Sequence, residues 1–200
     1  MINKVNYSPS FQKQLKAKAT IQNFNKPEKC YIYELDSKKD FDYFEKVSEK
    51  LPVWKDMDFF SVLEMHLQDP EDVEHIYVME AEDEELLGIM EVDDDDKYGE
   101  YQTIEYIATS PLYSSVNDVR ERKYIGQTLL AFATKVFDKK HTKGLCIPTP
   151  ICTAVDFYIN KCDFVPTDPD TCELVLHKEG FEKLVERNEE NTKGKMELIG

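Results

Sequence analysis

Gln102-Thr103-Ile104-Glu105-Tyr106-Ile107-Ala108 is followed, across a polar loop, by Arg120-Glu121-Arg122-Lys123-Tyr124-Ile125-Gly126, and then by Leu129, Leu130, Ala133, Val136 and Phe137. The first run is rich in β-branched and aromatic residues and stops at Ser110-Pro111, which predicts a strand. The apolar positions after Gly126 recur at helical spacing. The stretch therefore reads strand, loop, glycine, helix. A basic loop with a glycine at a helix start suits a phosphate group. The first N–H groups of the helix and its dipole favour an anion, and Arg and Lys add charge-assisted bonds.

Working outward, Cys30-Tyr31-Ile32-Tyr33-Glu34-Leu35 alternates and predicts a first strand, with Asp36 or Ser37 as cap of a following helix. That helix carries Phe41, Phe44, Val47 and Leu51 and ends at Pro52; a second carries Phe59, Phe60, Leu63 and Leu67 and ends at Asp69-Pro70. Trp54, between them, reads first as core and second as a pocket wall. His75 to Met79 and Leu86 to Val92 are strands around the turn Glu82-Asp83-Glu84-Glu85. The run Asp93-Asp94-Asp95-Asp96 lacks the alternate spacing and downstream Glu of a calcium loop, and reads as a solvated hairpin tip.

Downstream of the central helix come a short strand, Leu145-Cys146-Ile147, a short helix from Thr153 to Lys161, a strand start at Phe164-Val165-Pro166, a last strand from Glu173 to His177, and a helix around Phe181, Leu184 and Val185. The expected class is α/β: an antiparallel meander, then a β-α-β crossover, in a mixed sheet with helices on both faces. The expected division is a basic arm or extra helix over 1–29, one domain over 30–187, and a charged, flexible tail over 188–200.

A chain of 200 residues, 41% hydrophobic and 12% aromatic, buries one good core. No apolar run approaches a membrane span and Met1 to Thr20 is too polar for a signal-peptide core, so a cytoplasmic protein is expected. Five cysteines without a CxxC pair read as reduced thiols packed in the core, with no metal site. His66, His75, His141 and His177 show no ligand spacing. The net charge of −15 opposes binding to nucleic acid or an anionic membrane, and reads either as acidity for solubility or as attraction for a cationic substrate such as an amine. The first 29 residues run against this trend, with Lys4, Lys13, Lys16, Lys18, Lys26 and Lys29 against Glu28. The oligomeric state is left open, a homodimer included.

Two segments resemble the GNAT superfamily of N-acetyltransferases. Ile107-Ala108-Thr109-Ser110-Pro111 leading to Arg122-Lys123-Tyr124-Ile125-Gly126-Gln127-Thr128-Leu129-Leu130 is similar to the family's fourth strand and pyrophosphate loop, [QR]-x-x-G-x-[GA]. Ala154-Val155-Asp156-Phe157-Tyr158-Ile159-Asn160-Lys161-Cys162-Asp163-Phe164 is similar to its A-x-x-F-Y-x-K-x-G-F signature. Two registers of the loop are open. In one, Gly126 takes the second glycine position and Tyr124 replaces the first; in the other, Gly126 is the first glycine and Lys123 fills the basic position. Asp163 stands where the family has glycine.

The resemblance implies acetyl-CoA as donor. Its pyrophosphate would lie on N–H groups of Lys123, Tyr124, Ile125, Gly126, Gln127 and Thr128, with charge from Arg122 and Lys123, and its pantetheine beside Ile107 and Ala108. Tyr158 matches the family's general acid. Glu105 is the expected base and backbone N–H groups near Ala108 the expected oxyanion donors. The acceptor implied is an amine of a small molecule or a protein. A non-catalytic acyl-CoA-binding module and an acidic interaction protein are the alternatives.

Overall fold

The alternating runs close into one sheet. The computed structural model describes residues 13–35, 75–93, 101–113, 121–138, 142–167 and 172–200. Their strands are β1 (Gln14–Asn23), β2 (Lys26–Leu35), β3 (His75–Ala81), β4 (Leu86–Asp93), β5 (Tyr101–Thr109), β6 (Arg122–Lys123), β7 (Gly144–Ile147), β8 (Val165–Pro166), β9 (Leu174–His177) and β10 (Glu197–Leu198). The spatial order is β10-β1-β2-β3-β4-β5-β7-β9-β8, with β6 added to β1. β1 to β5 form an antiparallel meander. The chain then crosses over helix α1 (Ile125–Phe137) and places β7 parallel to β5. Helices α2 (Val155–Cys162) and α3 (Phe181–Thr192) complete the described elements. The class is the mixed α/β sheet expected. The two helices expected between residues 36 and 69, Trp54, His66, His141 and most of the aspartate run lie outside the described residues.

Residues 13–29 are read differently by the structure. Leu15 and Ala19, four residues apart as on a helix face, belong to β1, where Ala17, Ala19 and Ile21 are buried and alternate with Lys16, Lys18 and Thr20. Period two wins because a full partner strand is near: Phe24 and Asn25 turn the chain with positive φ (46° and 63°), and β2 returns along β1. Residues 14–29 are therefore two strands of the sheet.

The end of the chain differs in the same way. α3 continues to Thr192 with Leu184, Asn188 and Thr192 buried at i, i+4 spacing, and β10 pairs with β1 through Ala17↔Leu198 and Lys18↔Glu197. Polar bonds fasten this segment: Thr128 Oγ1 to Asn188 Oδ1 (3.1 Å), Asn191 Nδ2 to Gln127 Oε1 (3.0 Å) and Lys135 Nζ to the Met196 carbonyl (2.9 Å). The charged residues that suggested a flexible tail occupy the outer face of a docked helix.

One core lies between the sheet and these helices, built from Ala17, Ile21, Ile32, Tyr77, Met90, Val92 and Ile104 against Leu129, Phe132, Phe137, Phe164 and Leu184. α1 sits close because Gly88 on β4 has no side chain. A Cβ there would stand 3.0 Å from Ile125 Cγ2, Leu129 Cδ1 and the Ala108 carbonyl. That approach sets the start of α1 against β4 and the end of β5.

Candidate functional site

β5 and β7 are paired in parallel only at Tyr101↔Gly144, Gln102↔Leu145 and Thr103↔Cys146. β5 runs on to Thr109 and keeps β4 on its other side as far as Thr109↔Gly88. From Ile104 onward, its edge toward β7 therefore leaves the ladder, and Glu105 to Thr109 are only half-buried. Backbone amides that leave a ladder in this way are a template for an extended ligand that pairs like a strand. Ile107 and Ala108 lie in this segment, paired with Met90 and Ile89 on the β4 side.

A β-bulge falls inside it. The register passes from Val92↔Ile104 to Glu91↔Tyr106, so Glu105 is the extra residue. Uninterrupted alternation, which would put Ile104 and Tyr106 on one face, does not hold here. Ile104 and Ile107 both meet the α1 core, while Tyr106 stands opposite Glu91. The bulge changes the face of Tyr106 and the residues after it, and leaves Glu105 where alternation from Ile104 already puts it, away from α1. The Glu105 carboxylate adds to the effects of burial and of Glu173 in pushing the Cys146 thiol up to about 12, and Cys146, between the core residues Leu145 and Ile147, points away from α1. Glu105 thus serves the face of the sheet opposite α1.

The start of α1 carries the anion-binding potential. Its hydrogen-bond ladder begins with Thr128 N–H to the Tyr124 carbonyl (2.8 Å), so the N–H groups of Ile125, Gly126 and Gln127 precede the ladder. Tyr124 supplies no side-chain cap. The N–H of Thr128, expected to help bind phosphate, is instead spent inside the helix. Its hydroxyl bonds the Tyr124 carbonyl (2.8 Å) and Asn188, and the Gln127 side chain bonds the Lys161 carbonyl (3.2 Å). The left-handed turn before the helix falls on Tyr124 (φ 68°, ψ 15°), whereas Gly126 is already helical. Tyr124 therefore occupies the turn position of the first glycine, which favours the first of the two registers. A Cβ on Gly126 would meet Phe157 and Thr109 at 3.5 Å, so the end of β5, the start of α1 and α2 converge here.

Arg122 is not placed to meet a phosphate. Its side chain is buried and turned inward, with Nε and Nη2 on the two carboxylate oxygens of Glu28 (2.9 and 2.7 Å). Nη1 bonds Glu85, and Asp83 stands 3.4 Å from Nη2. The Tyr113 hydroxyl lies 3.3 Å from Nη1 and donates to Glu85 (2.8 Å). Burial acts against the guanidinium charge, but Glu28, Tyr113 and Glu85 outweigh it and hold the pKa above the ordinary arginine value. Lys123, half-buried next to it on β6, stands two residues before the helix start. These carboxylates lie 37 and 94 residues from Arg122, so no local sequence signal pairs them with it.

Tyr158 lies on α2, buried between Phe157 and Phe164 at ring-centroid distances of 5.4 and 5.8 Å. Burial raises its phenol to about 12, with the Cys162 thiolate form adding to the rise, so it holds its proton through the physiological range. Its ring belongs to the core on the α1 side. Tyr158 and Glu105 therefore lie on opposite faces of the sheet. α2 ends where Asp163 turns left-handed (φ 59°) and the Phe164 N–H closes back on the Tyr158 carbonyl (3.1 Å). Asp163 serves there in place of the glycine of the resembling signature, and Arg187 (2.8 Å) and Lys183 (2.9 Å) grip its carboxylate. The sequence flagged the odd residue but not these partners.

His75 bonds Glu34 and His177 bonds Tyr101 (3.1 Å), both away from this opening. Cys30, Cys146 and Cys162 are buried and Cys152 and Cys172 exposed, all as free thiols. Among the described residues, no group of three or more His, Cys, Asp or Glu is arranged to hold a metal, and no helix is long and apolar enough to cross a membrane.

No protein-family model and no curated protein sequence matches the chain. Solved structures do. AtaT complexed with acetyl-methionyl-tRNAfMet superposes with a TM-score of 0.54 at 16% identity, over 78% of this chain and 98% of that one. AtaTR bound with AcCoA gives 0.52 at 16% identity, over 78% and 97%. An AtaT variant bound to the C-terminus of the antitoxin AtaR and acetyl-CoA gives 0.51 at 16% identity, over 78% and 97%. At this identity the likeness establishes the architecture: the chain has the GNAT N-acetyltransferase fold.

Proposed function

We propose that this protein is an acetyl-CoA-dependent N-acetyltransferase that transfers the acetyl group directly to a primary amine of a small molecule or a protein. The observation that carries the reading is the opening between β5 and β7 after Thr103, with the start of α1 beside the end of β5. The structural neighbours solved with acetyl-CoA support the same donor.

The pantetheine amides pair with the free edge of β5 at Ile107 and Ala108, as an added strand would. The N–H groups of Ile125, Gly126 and Gln127 receive the pyrophosphate, with Lys123 beside them. On the face away from α1, Glu105, directly or through a water, takes the proton that makes the amine nucleophilic. The amine nitrogen bonds to the thioester carbon, N–H groups near Ala108 steady the oxyanion, and the carbon–sulfur bond breaks. On the α1 side Tyr158 gives its proton to the departing thiolate. Acid and base on opposite faces let donor and acceptor enter from different sides.

The −15 charge favours a cationic acceptor, such as a polyamine or a lysine side chain, over a polyanion. One neighbour was solved with acetyl-methionyl-tRNA, so an aminoacyl-tRNA amine is the competing acceptor. Counterion release, which drives binding to nucleic acid, needs clustered cations that the composition does not favour. Calorimetry with acetyl-CoA, then thiol release over polyamines, amino acids, lysine peptides and aminoacyl-tRNA, tests the reading. No heat at millimolar acetyl-CoA refutes it. Binding with background thiol release over the whole panel supports a non-catalytic acyl-CoA-binding module instead.

A further inference from the structure

Resting on the acetyl-CoA reading above, we propose that Arg122 is a positioning residue for the donor's pyrophosphate: its clamp onto Glu28 and Glu85 holds Tyr124 in the left-handed turn that aims the first N–H groups of α1.

A glycine adopts that conformation freely. A bulky L-residue does so only where its surroundings over-determine it. On the helix side Tyr124 is held by the two bonds that Thr128 makes to its carbonyl and by Ile125, which is buried against the Gly88 face of β4. On the other side the backbone has the two-residue ladder of β6 on β1, Gln22↔Lys123 and Asn23↔Arg122, extended by one bond from the Phe24 N–H to the Glu121 carbonyl (2.8 Å). A pair of strands this short is weak by itself. The Arg122 side chain supplies the rest. Two residues before Tyr124, it joins Glu28 on β2, Asp83 and Glu85 at the β3–β4 turn, and Tyr113 beyond β5.

All of its contacts point into the fold, so its influence on a ligand runs through the backbone it fixes. The bidentate pairing with Glu28 restrains the direction of the side chain as well as its position. A clamp of this kind, together with Thr128, does what the missing glycine would otherwise do.

The test compares acetyl-CoA with S-acetyl-pantetheine, which carries the thioester and amides but no pyrophosphate, in the wild type, Arg122→Lys and Glu28→Gln. The second variant keeps the size of the glutamate but leaves one acceptor oxygen where Arg122 has two N–H donors, and serves if Arg122→Lys does not fold. The expected result is an acetyl-CoA KM raised about tenfold, the weight of one poorly held left-handed residue, with kcat unchanged. The S-acetyl-pantetheine KM stays within about twofold of the wild type in the same variants. Adding Tyr124→Gly to either variant restores the acetyl-CoA KM, because glycine needs no clamp to turn left-handed. An equal loss with both donors, no loss with either, or no rescue by glycine overturns the proposal. A wild type that binds no CoA overturns the acetyltransferase reading and this proposal with it.

Discussion

Tyr158→Phe removes one oxygen from the site and leaves its packing in place. The ring contacts with Phe157 and Phe164, at 5.4 and 5.8 Å, survive, so at neutral pH the variant keeps its stability to within about 1 kcal/mol. The chemistry is affected differently. A phenol raised to about 12 is a weak donor to a thiolate of pKa about 8.5, and the gap costs roughly 5 kcal/mol at about 1.4 kcal/mol per unit. That is well under the roughly 16 kcal/mol barrier of an enzyme turning over about ten times a second, so the proton transfer is affordable. The real gap is smaller, because a thiolate released into the same dry opening is raised as well. Losing the acid should lower kcat about 100-fold with little change in CoA affinity.

The raised pKa gives two further readouts. The wild-type kcat profile should show no alkaline limb from this tyrosine at pH 10, where an ordinary phenol is half ionised. For stability, the folded value lies above the unfolded one, so the contribution is complete below about pH 10 and is lost as pH rises toward 12. Wild type should then lose roughly 2 to 3 kcal/mol over that window that Tyr158→Phe does not lose. Stopped-flow thiol release and alkaline denaturation measure these effects. A kcat unchanged in the variant refutes Tyr158 as the acid, and identical alkaline unfolding of the two proteins refutes the burial argument.

Other changes probe the frame around the opening. Gly144→Ala would set a Cβ 2.1 Å from the Leu176 carbonyl and force β7 away from β9, a loss of about 3 kcal/mol that a urea titration would detect. Gly126→Ala meets nothing closer than 3.5 Å in the folded chain and should raise stability by up to about 1 kcal/mol; a lower melting temperature would contradict its helical placement. Asp163→Asn keeps a residue that tolerates the left-handed turn and removes two partly exposed ion pairs, costing about 0.5 to 1 kcal/mol at pH 7. Burial raises the Asp163 pKa, but Lys183 and Arg187 outweigh it and hold the carboxyl below its ordinary value. Its contribution is therefore full above about pH 4 and lost as pH falls through the lower folded value. Acid unfolding of wild type and Asp163→Asn should converge there, and a constant difference down to pH 2 would show that the ion pairs are not the cause.

Much of this protein is legible in its sequence because the signals are local. Strand alternation, the Ser110-Pro111 stop, the helical spacing after Gly126 and the Ala154 to Phe164 signature each depend on neighbours a few residues apart, and together they point to the sheet order and the crossover. The misread stretches were those where local pattern and composition gave a competing answer. Leu15 and Ala19 fit a helix until β2 is laid beside them, and the charges after Asn188 suggest disorder until Leu184, Asn188 and Thr192 are seen to share one buried face. Within the candidate site, spacing and resemblance singled out Tyr158, Glu105 and the loop around Gly126 as candidates, while their environments were not legible. The bulge at Glu105 depends on the register of β4 against β5. The inward turn of Arg122 depends on carboxylates brought to it from β2 and the β3–β4 turn. Sequence by itself determined β2 to β5, β7, β9 and the placing of the three helices, because backbone preference and hydrophobic period act within a few residues. Only the tertiary structure decided that Arg122 faces the fold rather than a ligand, because charge pairing in a folded chain depends on distance through space and not along the backbone.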